Sequence, residues 1–198
     1  MQRTTPESAE VELGVFPLTD MLPGDTGPRR VRDTVDVGVF EDQAGLDVFG
    51  VGAHRTSRFT VSSPAVVLAT VAARISSITL TPAVSVLSVL DLVCRYQGFA
   101  QGDFISGGRA EITARRCAYA ATFEIFGVGM GRYEEVSAAK VDLLRMIAIG
   151  GGITCGGAVP SSAARCRLRS PPCMRAAGAE SRWRVAGSAR LPAVWGCR

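Results

Sequence analysis

The feature that most constrains the fold is an alternation of short apolar runs and longer helix-like segments, which repeats four times within residues 1–148. Strands separated by helices of this length form parallel sheets with crossover helices. We therefore expect an α/β fold, either a doubly wound sheet or a (β/α)8 barrel. No GxGxxG motif follows the first run, which disfavours a dinucleotide-binding sheet. Strands are predicted at residues 11–16, 46–51, 78–87 and 109–114, and helices at 31–44, 64–76, 91–104 and 133–148.

An apolar stretch between Pro64 and Leu90 has Arg74 as its single charge and could be taken for a membrane span. Serine, threonine and proline residues interrupt it, whereas a spanning helix needs ~20 predominantly apolar residues. The stretch instead predicts a buried helix, with Ser63 as N-cap and Pro64 at its first position, followed by a buried strand. Residues 1–10 lack the apolar core of a signal peptide. We therefore expect no membrane association and a cytoplasmic location.

Charge is unevenly distributed along the 198 residues, which carry +4 overall. Residues 151–198 contain eight arginines and one acid, Glu180, so this segment carries +7 and the first 150 residues carry −3. The first part therefore has no net basic charge that would favour nucleic acid. A basic module that binds nucleic acid or anionic surfaces through the last segment is an alternative, but Trp183 and Trp195 are the only aromatic residues there. We expect no nucleic-acid partner.

The composition changes near residue 149. Residues 151–198 contain no Phe, Tyr, Lys or Asp, but they hold four of the six cysteines and both tryptophans. No helical or strand period is sustained there. We therefore expect a folded domain at residues 1–148 and an irregular Arg/Cys-rich segment at residues 149–198. This segment is either disordered or translated out of frame from GC-rich DNA, and its Cys and Trp content favours the second reading because disordered segments are rarely rich in either.

The cysteine and histidine pattern does not predict a metal site. The six cysteines form no CxxC pair, and His54 is the only histidine. A structural zinc site needs about four ligands, usually in closely spaced pairs. We therefore expect no metal, and without a signal peptide we expect no disulfide framework.

Several blocks along residues 11–147 carry a family resemblance. They read ELGVF (12–16), LDVFGVGAHRTSRFTVSSP (46–64), QGFAQGDFISGGRAEI (97–112) and FEIFGVGMGRYEEVSAAKVDLL (123–144). In this order and spacing they resemble the N-terminal half of the luciferase-like, flavin-dependent monooxygenases. The resemblance implies a (β/α)8 barrel, which typically takes ~250 residues. We therefore expect a partial TIM-type barrel of about four strand–helix units, which ends before the barrel closes and is followed by the irregular segment.

The resemblance also implies an activity. Members of this family bind reduced flavin at the carboxyl ends of the barrel strands, react it with molecular oxygen and oxidise a second, small-molecule substrate. The implied cofactor is FMN, with a deazaflavin as the alternative, and a flavin reductase is an implied partner. Open strand edges of a partial barrel favour pairing with other chains, so we expect a homo-oligomer or aggregation through those edges.

Four candidate site residues follow from the resemblance. His54 stands at the position of the family's catalytic histidine, where imidazole can carry a proton near neutral pH. Val84 and Ser88, at the end of the third predicted strand, are implied to contact the flavin ring. Arg116, after the fourth, is implied to hold a phosphate or the negative charge of the reduced ring. The structural alternatives are a hydrogen-bonded histidine, a serine that caps the next helix and an exposed arginine.

Some neighbours of these residues depart from the family pattern. Ala53 replaces a usual glutamate and Arg55 a frequent second histidine, while Arg115 and Cys117 replace glycines around Arg116. Glycine allows close backbone approach that these larger residues do not allow. A catalytically inactive, truncated remnant, or a weak binding partner of another half-barrel, is therefore the alternative to an active flavin-dependent enzyme.

Overall fold

A computed structural model describes residues 11–89, 91–115, 120–127, 129, 131, 133–149 and 182–185 of the chain. These residues group into two compact units. Unit 1 comprises the described residues of Met1–Ala83 and Phe99–Glu111, and unit 2 comprises those of Val84–Gly98 and Ile112–Arg198.

Unit 1 is built on a parallel three-stranded sheet in the order β1-β2-β3. The strands pair in register, with Gly14 opposite Val48 and Val48 opposite Thr79. A parallel bridge between Leu80 and Ala110 extends the pairing beyond β3. Helices connect the parallel strands, as the sequence predicts. The elements are β1 (Gly14–Val15), α1 (Gly27–Gln43), β2 (Val48–Val51), α2 (Pro64–Ala72) and β3 (Thr79–Pro82).

The core of unit 1 lies around β2, all four residues of which are buried. Helix α1 packs against α2, and α2 packs against β2 and β3. At Gly38 of α1, an added Cβ would lie 2.9 Å from side-chain atoms of Phe49 and Val71. The missing side chain therefore allows α1 to approach the sheet closely. The most deeply buried apolar side chains are Phe49, Val51, Val71, Ile78 and Leu80.

Asp42, near the end of α1, organises the chain between α2 and β3. Its carboxylate accepts hydrogen bonds from the backbone N–H groups of Ser76 (3.3 Å), Ser77 (2.9 Å) and Ile78 (2.8 Å). Burial alone would raise the pKa of Asp42, but these three hydrogen bonds and the charge of Arg109 outweigh it and lower the pKa. An ionised Asp42 therefore holds the start of β3 next to the end of α1.

Unit 2 contains a second three-stranded sheet, in the order β4-β5-β6. Strands β4 and β5 are parallel, with Ser85 opposite Ala114. A 3-10 turn at Leu87–Val89 follows β4 and packs against α4 and α5. The new elements are β4 (Ser85–Val86), α3 (Leu92–Ser106, which passes from unit 2 into unit 1), β5 (Glu111–Arg115), α4 (Ala120–Phe126), α5 (Tyr133–Ile149) and β6 (Arg182–Val185).

Several element boundaries differ from the sequence prediction. The strand predicted at 78–87 is divided, because pairing with β2 ends at Pro82 and pairing with β5 begins at Ser85. Helix α1 begins at Gly27, four residues before its predicted start, since Pro28 suits the first turn of a helix. The Ser63 side chain makes no capping hydrogen bond at the start of α2. Two elements were not predicted, α4 and β6; β6 lies in the segment expected to be irregular, most of which is outside the described residues.

No helix within the described part of the chain is both long enough and apolar enough to cross a lipid bilayer.

Candidate functional site

His54 lies three residues beyond the carboxyl end of β2 in unit 1. Its backbone N–H donates to the carbonyl of Val61 at 3.3 Å. Its imidazole ring stacks on the Phe59 ring, with centroids 4.1 Å apart and an interplanar angle of 28°. The side chain is half-buried, so the imidazole is oriented by an aromatic neighbour and is still reachable from solvent. An oriented, accessible imidazole of this kind can transfer protons.

The loop that carries His54 is tied to the loop after β1. Thr60 donates from its N–H to the carbonyl of Thr19 (2.9 Å), and Val61 donates to the Thr19 hydroxyl (3.3 Å). Met21 donates in turn to the carbonyl of Arg58 at 2.8 Å. Both loops stand at the carboxyl side of parallel strands, which is where α/β barrels place their active sites.

Thr19 has a backbone conformation that a threonine rarely adopts. Its φ is +62°, in the left-handed region, and the residue is buried. Such a conformation costs about 1–3 kcal/mol and persists where surrounding contacts enforce it. The hydrogen bonds from Thr60 and Val61 supply those contacts. Neither Thr19 nor Phe59 stands in a recognisable motif, so their roles could not be predicted from the sequence.

Ala53 and Arg55 flank His54 in the sequence. Ala53 has no polar group that could orient the imidazole. Arg55 is half-buried, and burial lowers the pKa of its guanidinium. Two of the four departures from the family pattern, Ala53 and Arg55, therefore lie on the loop of the candidate histidine.

In unit 2, two buried serine hydroxyls lie close in sequence, one at the start of β4 and one in the turn that follows it. Ser85 is 2% exposed and Ser88 is 3% exposed. The Oγ atom of neither serine has a hydrogen-bond partner among the described residues. Val84 stands immediately before β4 and is half-buried. Leaving a buried hydroxyl unsatisfied costs about 1–3 kcal/mol, so β4 and the turn after it offer two groups that a polar ligand could satisfy.

The backbone of the same turn is held from α5 by Lys140. Its Nζ donates to the carbonyl oxygen of Ser88 at 3.1 Å, and the lysine is 7% exposed. Burial lowers the pKa of Lys140, and the nearby charge of Asp91 opposes that shift. The sequence analysis did not select Lys140 as a site residue, although it is the only lysine among 22 basic residues.

Val84 and Ser88 both belong to unit 2, one immediately before β4 and the other in the turn after it, whereas His54 belongs to unit 1. Arg116 and Cys117 lie outside the described residues. Within the described ranges, no group of three or more His, Cys, Asp or Glu side chains is arranged to hold a metal ion.

Comparison with known families gives one match. The profile of a family described as luciferase-like monooxygenase matches residues 11–195. The match therefore extends across most of the segment that was expected to be irregular. None of the curated proteins shows significant sequence similarity to this chain.

Solved structures of similar fold include two monooxygenases and one reductase. The monooxygenase RslO1 from Streptomyces bottropensis superposes with a TM-score of 0.77 at 16% identity, covering 88% of this chain and 53% of that one. The oxygenating constituent of 3,6-diketocamphane monooxygenase from Pseudomonas putida, in complex with FMN, gives 0.69 at 16% identity, covering 75% and 42%. The coenzyme F420 dependent tetrahydromethanopterin reductase from Methanopyrus kandleri gives 0.61 at 20% identity, covering 89% and 50%.

These likenesses confirm the predicted fold, an α/β arrangement of parallel strands and helices corresponding to part of a (β/α)8 barrel. This chain spans about half the length of the solved structures that it matches.

Proposed function

Since the chain belongs to the luciferase-like monooxygenase family, we propose that it binds a reduced flavin and takes part in the oxidation of a small organic substrate by molecular oxygen. The proposal assigns ring contacts to Val84 and Ser88, proton transfer to His54 and pairing with negative charge to Arg116. We propose FMN rather than a deazaflavin as the cofactor. We further propose that the reaction takes place in the cytoplasm and that a separate reductase supplies the reduced flavin.

The observation that best supports flavin binding is the pair of unsatisfied hydroxyls at Ser85 and Ser88. A flavin ring has flat apolar faces and an edge of carbonyl and nitrogen groups that accept and donate hydrogen bonds. The half-buried Val84 suits an apolar face, and the two hydroxyls suit a polar edge. A bound ring would therefore satisfy polar groups that the described residues leave without partners.

When bound, reduced flavin would supply the electrons for oxygen reduction. The protein would contribute a proton donor and acceptor, and His54 suits this role because Phe59 orients its ring while solvent can still reach it. For the flavin phosphate, the sequence resemblance offers Arg116 as the candidate contact.

The test of flavin binding is an anaerobic titration with reduced FMN, and in parallel with reduced F420, followed by isothermal titration calorimetry. We expect saturable binding of FMN, and we expect Ser85→Ala/Ser88→Ala to weaken it by about tenfold, the effect of losing one or two hydrogen bonds. Ser62→Ala is the matched control because Ser62 is an exposed serine of unit 1. Absence of binding by the unmodified chain would refute the proposal, and tighter binding of F420 would correct the cofactor.

A second candidate function is that of a non-catalytic partner of another barrel segment. The apolar side chains along and beside β1 are exposed: Val11 by 75%, Leu13 by 60%, Val15 by 44% and Phe16 by 48%. Among the described strands, β1 also stands at the edge of its sheet. An exposed apolar edge strand is a site where another chain can pair.

This second candidate is tested by sedimentation of the unmodified chain and of Val15→Lys across a range of concentrations. A charged side chain on an edge strand opposes pairing, so the substitution should shift the protein towards the monomer. A concentration-independent monomer for both proteins would exclude this role.

A further inference from the structure

Lys140 occupies an unusual position for a lysine. It lies within α5, only 7% exposed, and it is the only lysine of the chain. Removing an ammonium group from water is costly unless partners offset the lost hydration. The lowered pKa of Lys140 reflects that cost. A buried amine at this position therefore calls for an explanation beyond the apolar packing of α5.

Two partners of Lys140 lie on the turn after β4 and at the start of α3. Its Nζ donates to the carbonyl of Ser88 at 3.1 Å. The carboxylate of Asp91 acts on it through charge, and Asp91 Oδ1 accepts the N–H of Cys94 at 2.8 Å, as an N-cap does. The Leu87–Val89 turn is thus held between a donor on α5 and the capped end of α3.

Lys140 donates to the backbone carbonyl of Ser88, so the Ser88 side chain takes no part in this hydrogen bond. The Ser88 hydroxyl is buried and has no hydrogen-bond partner among the described residues. A hydroxyl can be aimed at a ligand only if the backbone that carries it is fixed. Lys140 fixes that backbone without occupying the hydroxyl.

We infer that Lys140 is a positioning residue, which anchors the Leu87–Val89 turn so that the Ser88 hydroxyl is presented to the bound flavin. This inference rests on the proposed flavin binding. In this inference Lys140 acts on the turn through the Ser88 carbonyl, so its effect on binding passes through Ser88.

The experiment is a double-mutant cycle on reduced-FMN affinity, measured anaerobically for the unmodified protein, Lys140→Met, Ser88→Ala and the double variant. We expect Lys140→Met to weaken binding by about tenfold, and to have little further effect once Ser88 is alanine. Methionine has a similar volume and needs no hydration, so the variant removes the donor with little change in side-chain packing. Ile147→Val is the control, because Ile147 is buried on α5 about two helical turns away.

Two results of the titration would overturn the inference. The first is an unchanged FMN affinity in Lys140→Met. The second is an equal loss of affinity when Lys140→Met is added to Ser88→Ala, since this would mean that Lys140 acts independently of the Ser88 hydroxyl. If Lys140→Met does not fold, Lys140→Gln replaces it, because glutamine is polar but too short to place a donor at the Ser88 carbonyl.

A separate measurement keeps this test distinct from the test of flavin binding. Amide hydrogen exchange of residues 85–94 is compared in the absence of ligand between the unmodified protein, Lys140→Met and Ile147→Val. Faster exchange in Lys140→Met alone supports the anchor even if no flavin binds, in which case the proposed function fails by itself. Unchanged exchange overturns the anchor whatever the outcome of the titration.

Discussion

Arg109 and Ile75 are joined by a hydrogen bond of 2.9 Å from the Nη2 of the guanidinium to the backbone carbonyl. The same guanidinium donates to the carbonyls of Ala72 (3.4 Å) and Ile78 (2.9 Å). The last carbonyls of a helix have no donors within the helix, so Arg109 supplies partners where α2 ends. Ser106 accepts the Arg109 N–H at 3.1 Å and holds the arginine in place. The Ser-Gly-Gly-Arg motif, which contributed to the family resemblance, therefore has a structural role in this chain.

We expect Arg109→Met to lower the free energy of unfolding by about 2–3 kcal/mol, because it removes charge-assisted hydrogen bonds to three backbone carbonyls. Urea denaturation measures the loss. Arg74→Met is the control, since the Arg74–Asp36 ion pair is exposed on both sides and should contribute less than about 1 kcal/mol. Equal losses in the two variants would contradict the role assigned to Arg109.

Glu41 gives a prediction about pH. It is 4% exposed, and burial raises the pKa of its carboxyl, with the Val15 N–H opposing part of the rise. The native state therefore holds this proton more tightly than the unfolded state, so its contribution to stability is full below the ordinary pKa and is lost as pH rises through the raised value.

Glu41→Gln removes this dependence, and the stability difference between Glu41→Gln and the unmodified protein should grow in favour of the variant from about pH 4 to pH 7. Melting temperatures of both proteins across this range provide the measurement. Glu124→Gln is the control because Glu124 is exposed. A constant difference for Glu41→Gln would show that burial does not perturb this carboxyl.

The stacking of His54 on Phe59 can be observed directly, because a chain with one histidine gives one set of imidazole proton resonances. The ring current of Phe59, 4.1 Å away between centroids, should displace these resonances from their positions in an unfolded peptide. We expect Phe59→Leu to abolish most of the displacement. Phe40→Leu, at a 69% exposed phenylalanine of α1, should leave it intact, and a similar change in both variants would argue against the stack.

Two glycines in helices should respond to alanine with opposite signs. In Gly38→Ala, the added Cβ would lie 2.9 Å from side-chain atoms of Phe49 and Val71. The cost of overpacking, about 1–3 kcal/mol, outweighs the gain in helix propensity of about 1 kcal/mol, so this variant should be less stable. At Gly102 of α3 an added Cβ meets no atom within 4 Å, so Gly102→Ala should stabilise by about 0.5–1 kcal/mol. Chemical denaturation of both variants measures the signs, and stabilisation by Gly38→Ala would mean that α1 can move away from the sheet.

The order of strands and helices follows from local patterns in the chain. Apolar runs and helical spacing depend on residues within one or two turns, so the alternation, the helix over 133–149 and the positions of His54 and Ser88 after strands could be predicted from residue order. The division of the 78–87 strand at Ala83 and Val84 could not, because it depends on which neighbouring strand each half pairs with.

The chemistry of the candidate site depends on contacts between residues that are far apart in the chain. Ser88 and Lys140 are 52 residues apart, and no local pattern indicates that the lysine is buried or that its donor reaches that carbonyl. The left-handed Thr19, tied to the loop of His54, is another such case. Apolar periodicity is a property of neighbouring residues, so it determines where helices and strands form. Burial, side-chain pKa values and the pairing of polar atoms arise when distant segments pack together, so they are defined only in the folded chain.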